Sequence, residues 1–206
     1  VRIIDQLDFT AFQKNPKWIV GYSDITTLHS TLHNLGFASI HASMPGGMKR
    51  ATEEAKQTLY KALFGYSYGL EIPTNPLNKV GNAKGILIGG NLSIVNSMIG
   101  SVSEVNLYDK ILFIEDVGED LYRIDRMMYT LKRTGALKNL KGIIVGDFDY
   151  DVEKDTLFGG THREIILNAV KDYNYPVLFD FPAGHIRDNS SLIFGKEIEI
   201  DIKDNQ

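Results

Sequence analysis

"KWIVGYSDITTLHSTLHNLG", residues 17–36, holds three structural signals in twenty residues. A short apolar run stops at Gly21, a serine follows two places later, and an amphipathic pattern begins at once. From Asp24 onward Ile25, Leu28, Leu32 and Leu35 recur at steps of three and four, and Gly36 supplies a stop, so the stretch predicts strand, turn and helix. Ser23 stands at the turn and has two readings. It can be the N-cap of the helix, a position that serine favours. It can also be a nucleophile, because Gly21 permits close backbone approach and a helix N-terminus stabilises developing negative charge. The full G-x-S-x-G pattern is not met, since Ile25 occupies the place of the second glycine. Spacing alone leaves both readings open.

Working outward, "VRIIDQLDFTAFQKNP" reads as a helix containing Ile3, Ile4 and Leu7, ended by Asn15-Pro16, and "FASIHASM" as a second strand. "TEEAKQTLYKALFG" has Thr52 as N-cap, Glu53 and Glu54 in the first turn, and Gly65 at its end. Alternating strands and helices predict a parallel α/β sheet. Residues 65–84 break the rhythm with Gly65, Gly69 and Gly81 and with Pro73 and Pro76, and read as a linker. Apolar strand candidates then return: "GILIGG", "KILFIED", "KGIIVGDF" and "YPVLFDFPAGH", without strict alternation and so covered on both faces, and "SLIFGKEIEIDI", which alternates and reads as an edge. Between them lie helices: "NLSIVNSMIG" behind an Asn91 cap, "LYRIDRMMYTLKRTG", and "THREIILNAV" with a Thr161/Glu164 capping box. The expected class is α/β in two lobes: residues 1–64 as part of a parallel-sheet N-terminal lobe, 65–84 as linker, and 85–206 as a mixed α/β C-terminal lobe.

Composition limits the function classes. A net charge of −4, with no Lys/Arg cluster interleaved with aromatics, argues against nucleic acid. No apolar run reaches the roughly 18 residues needed to cross a bilayer, and no signal-peptide pattern is present. The absence of cysteine excludes disulfides, thiolate catalysis and Cys-based zinc sites. A cytoplasmic protein is expected.

In parallel α/β sheets functional groups gather where strands end and helices begin. Besides Ser23, that rule marks Glu115 and Asp116 at the end of "KILFIED", Asp147 after "GIIVG", and His185 after "VLFDFPAG". A loop histidine is free to titrate and to reach a neighbour. Glu115 follows four apolar residues, where its charge is costly unless paired; Asp116, Glu119, Asp147 and Asp188 compete for the same role. His29 and His33 lie on the flank of the helix after Ser23, without the H-E-x-x-H metal pattern, and His41 and His162 read as structural or exposed. "GDFDYD", with Asp147, Asp149 and Asp151, lacks the EF-hand glycine and glutamate and reads as a solvated turn. "GGNLS", residues 89–93, lacks a Walker lysine; its glycines let substrate or another backbone come close.

"NPKWIVGYSDITTLH", "GILIGGNLSIV", "ILFIEDVGEDLYRIDRMM" and "FPAGHIRDN" resemble, in order and over nearly the whole chain, the motifs of the LD-carboxypeptidase family of serine peptidases, which includes microcin C immunity peptidases. The resemblance implies a triad of Ser23 as nucleophile, His185 as base and Glu115 orienting it, with the Asp24 backbone N–H as an oxyanion donor. It implies hydrolysis of the bond between an L-centre and the terminal D-Ala of a murein tetrapeptide in cell-wall recycling, no metal or organic cofactor, and a homodimer. Gly90 and Asn91 are expected to line the substrate cleft, and Arg123 or Arg126 to meet the substrate carboxylate. The family's glycine-rich "GGYG"-type stretch, expected to give a second oxyanion donor, lies upstream of the segment matched by "VRIIDQLD". At 41–45, "HASMP" stands where the family often has a His-Gly-Pro turn. Two alternatives remain: a microcin-type hydrolase of peptidyl-nucleotides, and an inactive truncated chain or non-catalytic α/β binding module.

Overall fold

In the computed structural model, which describes residues 1–149 and 158–203, the strands sort into two sheets. The smaller contains β1 (Val20–Gly21), β2 (Ser39–His41) and β7 (Leu192–Phe194) in the order β1-β2-β7; β1 runs parallel to β2, and β7 antiparallel. The larger contains β3 (Gly81–Asn91), β4 (Lys110–Val117), β5 (Gly142–Asp149), β6 (Val177–Leu178) and β8 (Glu197–Ile202). Its order is β6-β5-β4-β3-β8, all parallel except β8.

The non-alternating runs form the middle of the larger sheet, as expected of strands covered on both faces. In β4 every residue from Ile111 to Asp116 is buried. On one face Ile88, Leu112, Ile114, Ile143 and Val145 pack beneath helices α4 (Leu92–Ser97), α5 (Leu121–Arg133) and α6 (His162–Val170). The α5 stripe of Leu121, Ile124, Met128 and Leu131 is buried there. On the other face Leu87, Ile111, Phe113 and Ile144 meet Phe181, Leu192 and Phe194. Helix α3 (Glu53–Phe64) covers Ile40 of the small sheet through Ala62.

Capping follows the sequence. Thr52 Oγ1 accepts the Ala55 N–H at 3.1 Å, Asn91 caps α4, and Thr161 and Glu164 form the full capping box of α6.

Four expectations change. The N-terminal segment is not one helix: a 3-10 turn at Ile4–Gln6 precedes a short α1 (Thr10–Lys14). Asp8 accepts both the N–H and the hydroxyl of Thr10, a local alternative to continuing the helix, and Ile3 and Leu7 are exposed. "SLIFGKEIEIDI" is two strands, split at Gly195, whose φ of +83° turns the chain from β7 in one sheet to β8 in the other. The segment after residue 84 therefore completes the small sheet as well. Helix α2 (Thr26–Asn34) buries Thr26, Thr27, His29, Ser30 and Leu32, whereas Leu35 is exposed; on its inward polar side Thr26 and His29 find hydrogen-bond partners, and Thr27 Oγ1 finds none among the described residues. Asp147 and Asp149 lie in β5 rather than in a turn; Asp151 is outside the described residues.

Among the buried histidines His29 satisfies both ring nitrogens, whereas those of His41 find no hydrogen-bond partner among the described residues. His29 accepts from Ser39 Oγ at Nδ1 (2.8 Å) and donates from Nε2 to the Gly21 carbonyl (3.0 Å), so it is a core side chain and not a flank residue. Burial pushes its pKa down to about 4. His41 is fully buried among the rings of Tyr22, Phe113 and Phe194, and burial, with His29 and His185 beyond it, drives its pKa well below 6.5. His162 stacks on Phe148 and is lowered to about 4 by burial and Arg163.

These three groups bind protons in the unfolded chain between about pH 6.5 and 4 but not in the folded one, so stability falls as pH drops through that window. Each unit of displacement is worth about 1.4 kcal/mol. Asp116, raised to about 6 by burial, acts in the opposite sense, gaining stability on acidification between 6 and 3.8. Asp147 and His185, whose pKa values are also raised, act in that sense too; His33, lowered by burial and by Lys110, adds to the buried histidines. The denaturation midpoint is expected to be clearly lower near pH 4.5 than near pH 7; an unchanged midpoint would show that these imidazoles are not held neutral by the fold.

Candidate active site

Glu115 stands at the end of β4, fully buried. Opposite it the β4–β5 ladder shifts register: Ile114 pairs with Val145 and Asp116 with Phe148, so Gly146 and Asp147 together oppose Glu115. A bulge of this kind bends the strand and re-aims its side chains. Gly146 has no room for a side chain against the Ala183 carbonyl and the Phe113 ring, which lets the 181–190 segment lie close over the strand ends.

That segment is tied at several points. The Asp147 N–H donates to the Ala183 carbonyl (2.8 Å), the Ser190 N–H to the Pro182 carbonyl (2.7 Å), and the Gly184 N–H to Asn189 Oδ1 (3.0 Å). Gly184 has φ +138°, and a side chain there would lie 3.1 Å from Asp147 Cβ and 3.3 Å from Glu115 Oε2. Only glycine meets both constraints. The next residue, His185, reaches Glu115 Oε2 from Nδ1 at 2.8 Å. Because a carboxylate accepts, the neutral ring carries its proton on Nδ1 and leaves Nε2 as an acceptor. Burial pulls the His185 pKa down, but the Glu115 hydrogen bond and charge, with Asp116 and Asp147 beyond, outweigh it and hold the imidazole above its ordinary value.

Of the competing carboxylates, Asp116 accepts from Asn91 Nδ2 and from the Ser93 and Val117 N–H groups. Glu119 meets Arg123, and Asp188 accepts from Thr52 Oγ1. Asp147 is half-buried, with its pKa raised by burial, Asp149 and Glu115. Among the described residues Glu115 is the carboxylate that hydrogen-bonds the His185 ring.

On the other side, Ser23 opens a 3-10 turn, Ser23–Ile25, that leads into α2. The N-cap positions of this turn and of α2 fall on Tyr22 and Ile25, neither with a side-chain cap hydrogen bond, so Ser23 is the N-cap of neither. Its φ is +61°, a left-handed conformation that costs a non-glycine residue of order 1 kcal/mol or more. A strained serine between a strand and a helix is the arrangement of a nucleophile elbow. Here Gly21 is required because Ile25 folds back on it: a side chain at 21 would lie 2.7 Å from Ile25 Cγ1. Tyr22, immediately before the serine, packs edge-on against the His185 ring with centroids 4.8 Å apart. The structure thus brings the Ser23 turn to the histidine that Glu115 holds.

Gly90 and Asn91 lie behind this point. A side chain at Gly90 would overlap the Thr26 hydroxyl. The Asn91 amide is committed internally: Nδ2 to Asp116 Oδ1 (2.9 Å), and Oδ1 accepting from Ser93 Oγ (2.7 Å) and the Ile94 N–H (3.2 Å). Arg123 and Arg126 both lie against the Tyr122 ring, Arg123 also pairing with Glu119 and Asp120. Among the described residues no group of three or more His, Asp or Glu is placed to hold a metal ion. A concave space of about 630 Å3, lined in part by Tyr66, Ile72, Leu87, Phe181 and Ile200, includes none of Ser23, Glu115 and His185. Two neighbours of the site, Tyr22 and Asn189, were not singled out from sequence, although each flanks a marked motif.

The chain compares directly with known proteins at this point. Residues 84–200 match the LD-carboxypeptidase C-terminal domain and residues 1–42 the LD-carboxypeptidase N-terminal domain. The chain belongs to the LD-carboxypeptidase family, a family of peptidases. It is similar to the probable murein peptide carboxypeptidase of Bacillus subtilis, with 34% identity over 203 residues, covering 94% of this chain and 63% of that protein. It is similar also to the crystal structure of muramoyltetrapeptide carboxypeptidase from Oxalobacter formigenes (TM-score 0.87, 25% identity, 98% of this chain and 70% of that one). The microcin C7 self-immunity protein MccF shares the fold (TM-score 0.77, 22% identity, 95% of this chain and 68% of that one). The chain spans under two thirds of the length of the first curated relatives it matches, 63% and 65%. No helix among the described residues is long and apolar enough to cross a membrane.

Replacing Glu115 with Gln keeps the side chain's size but removes the charge that opposes burial. The His185 pKa is then expected to fall below its value in the unmutated chain, read by NMR titration of the imidazole C–H resonances. An unmoved titration would mean that Glu115 does not set the state of the ring.

Proposed function

We propose that this chain carries the catalytic groups of a serine-type LD-carboxypeptidase that removes the terminal D-Ala from a murein tetrapeptide. The observation that carries the reading is the 2.8 Å His185–Glu115 hydrogen bond, with the His185 ring against Tyr22, the residue before a serine held in left-handed strain. His185 Nε2 takes the proton of Ser23 Oγ, and the oxygen attacks the carbonyl that precedes the terminal D-residue. The backbone N–H of Asp24, the first after the nucleophile, donates to the oxyanion. The tetrahedral species collapses to an acyl-enzyme; the C–N bond breaks and the amine of D-Ala leaves with the proton from His185. Water then attacks the ester and gives a proton to His185; the acyl C–Oγ bond breaks, His185 returns the proton to Ser23 Oγ, and the shortened peptide leaves with a new carboxylate. Glu115 fixes the tautomer and stabilises the imidazolium through both halves.

The substrate class rests on relatives described as murein peptide and muramoyltetrapeptide carboxypeptidases. The likeness to MccF supplies a second reading, an amide hydrolase of peptidyl-nucleotides, supported by fold alone.

Ser23→Ala tests the assignment. The unmutated chain is expected to release D-Ala from a peptide ending in L-centre–D-Ala and to spare the same peptide ending in L-Ala. The folded variant is expected to lose about four orders of magnitude in kcat. Equal turnover by both chains would falsify the role of Ser23. Turnover of an aminoacyl-sulfamoyl adenylate with none of the D-Ala peptide would favour the second reading.

A further inference from the structure

We infer that Thr26 is a positioning residue for the proposed reaction: its hydroxyl joins the helix behind Ser23 to the strand beside Glu115 and sets how the Ser23 turn sits against His185. This inference rests on the triad reading above and adds a residue that the triad does not include.

Thr26 is the first residue of α2, three positions after Ser23, and is fully buried. Its Oγ1 accepts the backbone N–H of Asn91 at 3.0 Å. Asn91 is the last residue of β3 and the direct ladder partner of Glu115 in β4. Three links therefore run from Ser23 through Thr26 and Asn91 to Glu115. The neighbouring strand leaves room for this contact, because β8 pairs with β3 only as far as Ile86. A helix side chain thus serves the last backbone donor of β3 where no strand of the sheet continues.

Two further observations make the contact specific. Gly90 has φ +135°, and any side chain there would overlap the Thr26 hydroxyl, so the backbone is opened for this residue. Asn91 is itself immobilised: its amide donates to Asp116 and caps α4. The hydroxyl of Thr26 therefore rests on a fixed point. A displaced hydroxyl would tilt the N-terminus of α2, and with it the turn that carries Tyr22 and Ser23. Tyr22 reports such a shift, because its ring lies against His185.

Thr26→Val keeps the branched shape and removes the acceptor, leaving the buried Asn91 N–H unpaired; Thr26→Ser keeps the acceptor. The first readout needs no turnover: the imidazole C–H resonances of His185, which feel the ring current of Tyr22, together with the exchange rate of the Asn91 amide. Both are expected to change in Thr26→Val and to stay at their original values in Thr26→Ser. The second is kinetic. With the D-Ala peptide, kcat per folded molecule is expected to fall about 10- to 100-fold in Thr26→Val with KM changed less than about twofold, and to be restored in Thr26→Ser, as for a misplaced reacting group. Where Thr26→Val does not fold, Thr26→Ala takes its place in both measurements. Unchanged His185 resonances and Asn91 exchange in a folded variant overturn the inference, as does a kcat equal to that of the unmutated chain. Absence of turnover in the unmutated chain counts against the peptidase reading instead, and the resonance measurement still decides the role of Thr26.

Discussion

A carboxylate with no exposed surface needs a partner, and around Glu115 much of this molecule is arranged to provide one. Removing an ionised group from water without compensation is among the most costly events in folding. The compensation here is the Nδ1–H of His185 at 2.8 Å. For that imidazole to arrive, β5 bulges at Gly146–Asp147, Gly184 gives up a side chain, and Asn189 with Ser190 closes the loop on itself. The pairing also fixes the chemistry. With Nδ1 committed to the carboxylate, Nε2 is the nitrogen left to exchange a proton, and a raised pKa makes it a better base.

The second requirement is that two sheets meet at one point. The chain solves this by sharing strands: the segment after His185 enters the small sheet as β7, turns at Gly195, and returns to the large sheet as β8. The sheets are therefore stitched through backbone hydrogen bonds, and the aromatic contacts of Phe113, His41 and Phe194 fill the seam. Helix α2 enters the same seam with a polar face, since His29 and Thr26 find hydrogen-bond partners there. A seam filled in this way resists relative movement of the serine turn and the Glu–His pair. It also leaves neutral histidines in the core, which ties the integrity of the site to pH.

Strain and satisfaction are divided between the two sides. The Ser23 side holds a left-handed non-glycine residue, with no side-chain cap on the turn or on α2. On the Glu115 side Asp116, Asn91 and the α4 cap are joined by hydrogen bonds, and Glu115 itself is held through Oε2 alone, its Oε1 having no hydrogen-bond partner among the described residues. The two sides meet through the Tyr22 ring, which lies edge-on against His185.

Periodicity and chain chemistry by themselves determined much of this protein. Buried parallel strands, the caps at Thr52, Asn91 and Thr161 and the α5 stripe were all legible, because each rests on local pattern. The positions marked at strand ends include Glu115 and His185, which the fold brings into hydrogen bond. The burial of α2 by its polar face was not legible, since apolar spacing pointed to Ile25, Leu28, Leu32 and Leu35 and carried no record of partners supplied by residues 21, 39 and 91. Nor was the splitting of one strand between two sheets, which depends on what lies on either side of Gly195. Five carboxylates competed for His185 on sequence grounds, and only the register of β4 against β5 decided for Glu115. Spacing likewise gave Ser23 two readings and carried no sign of its left-handed backbone or of the Tyr22 ring against His185, which are products of long-range packing that no local stretch of residues encodes.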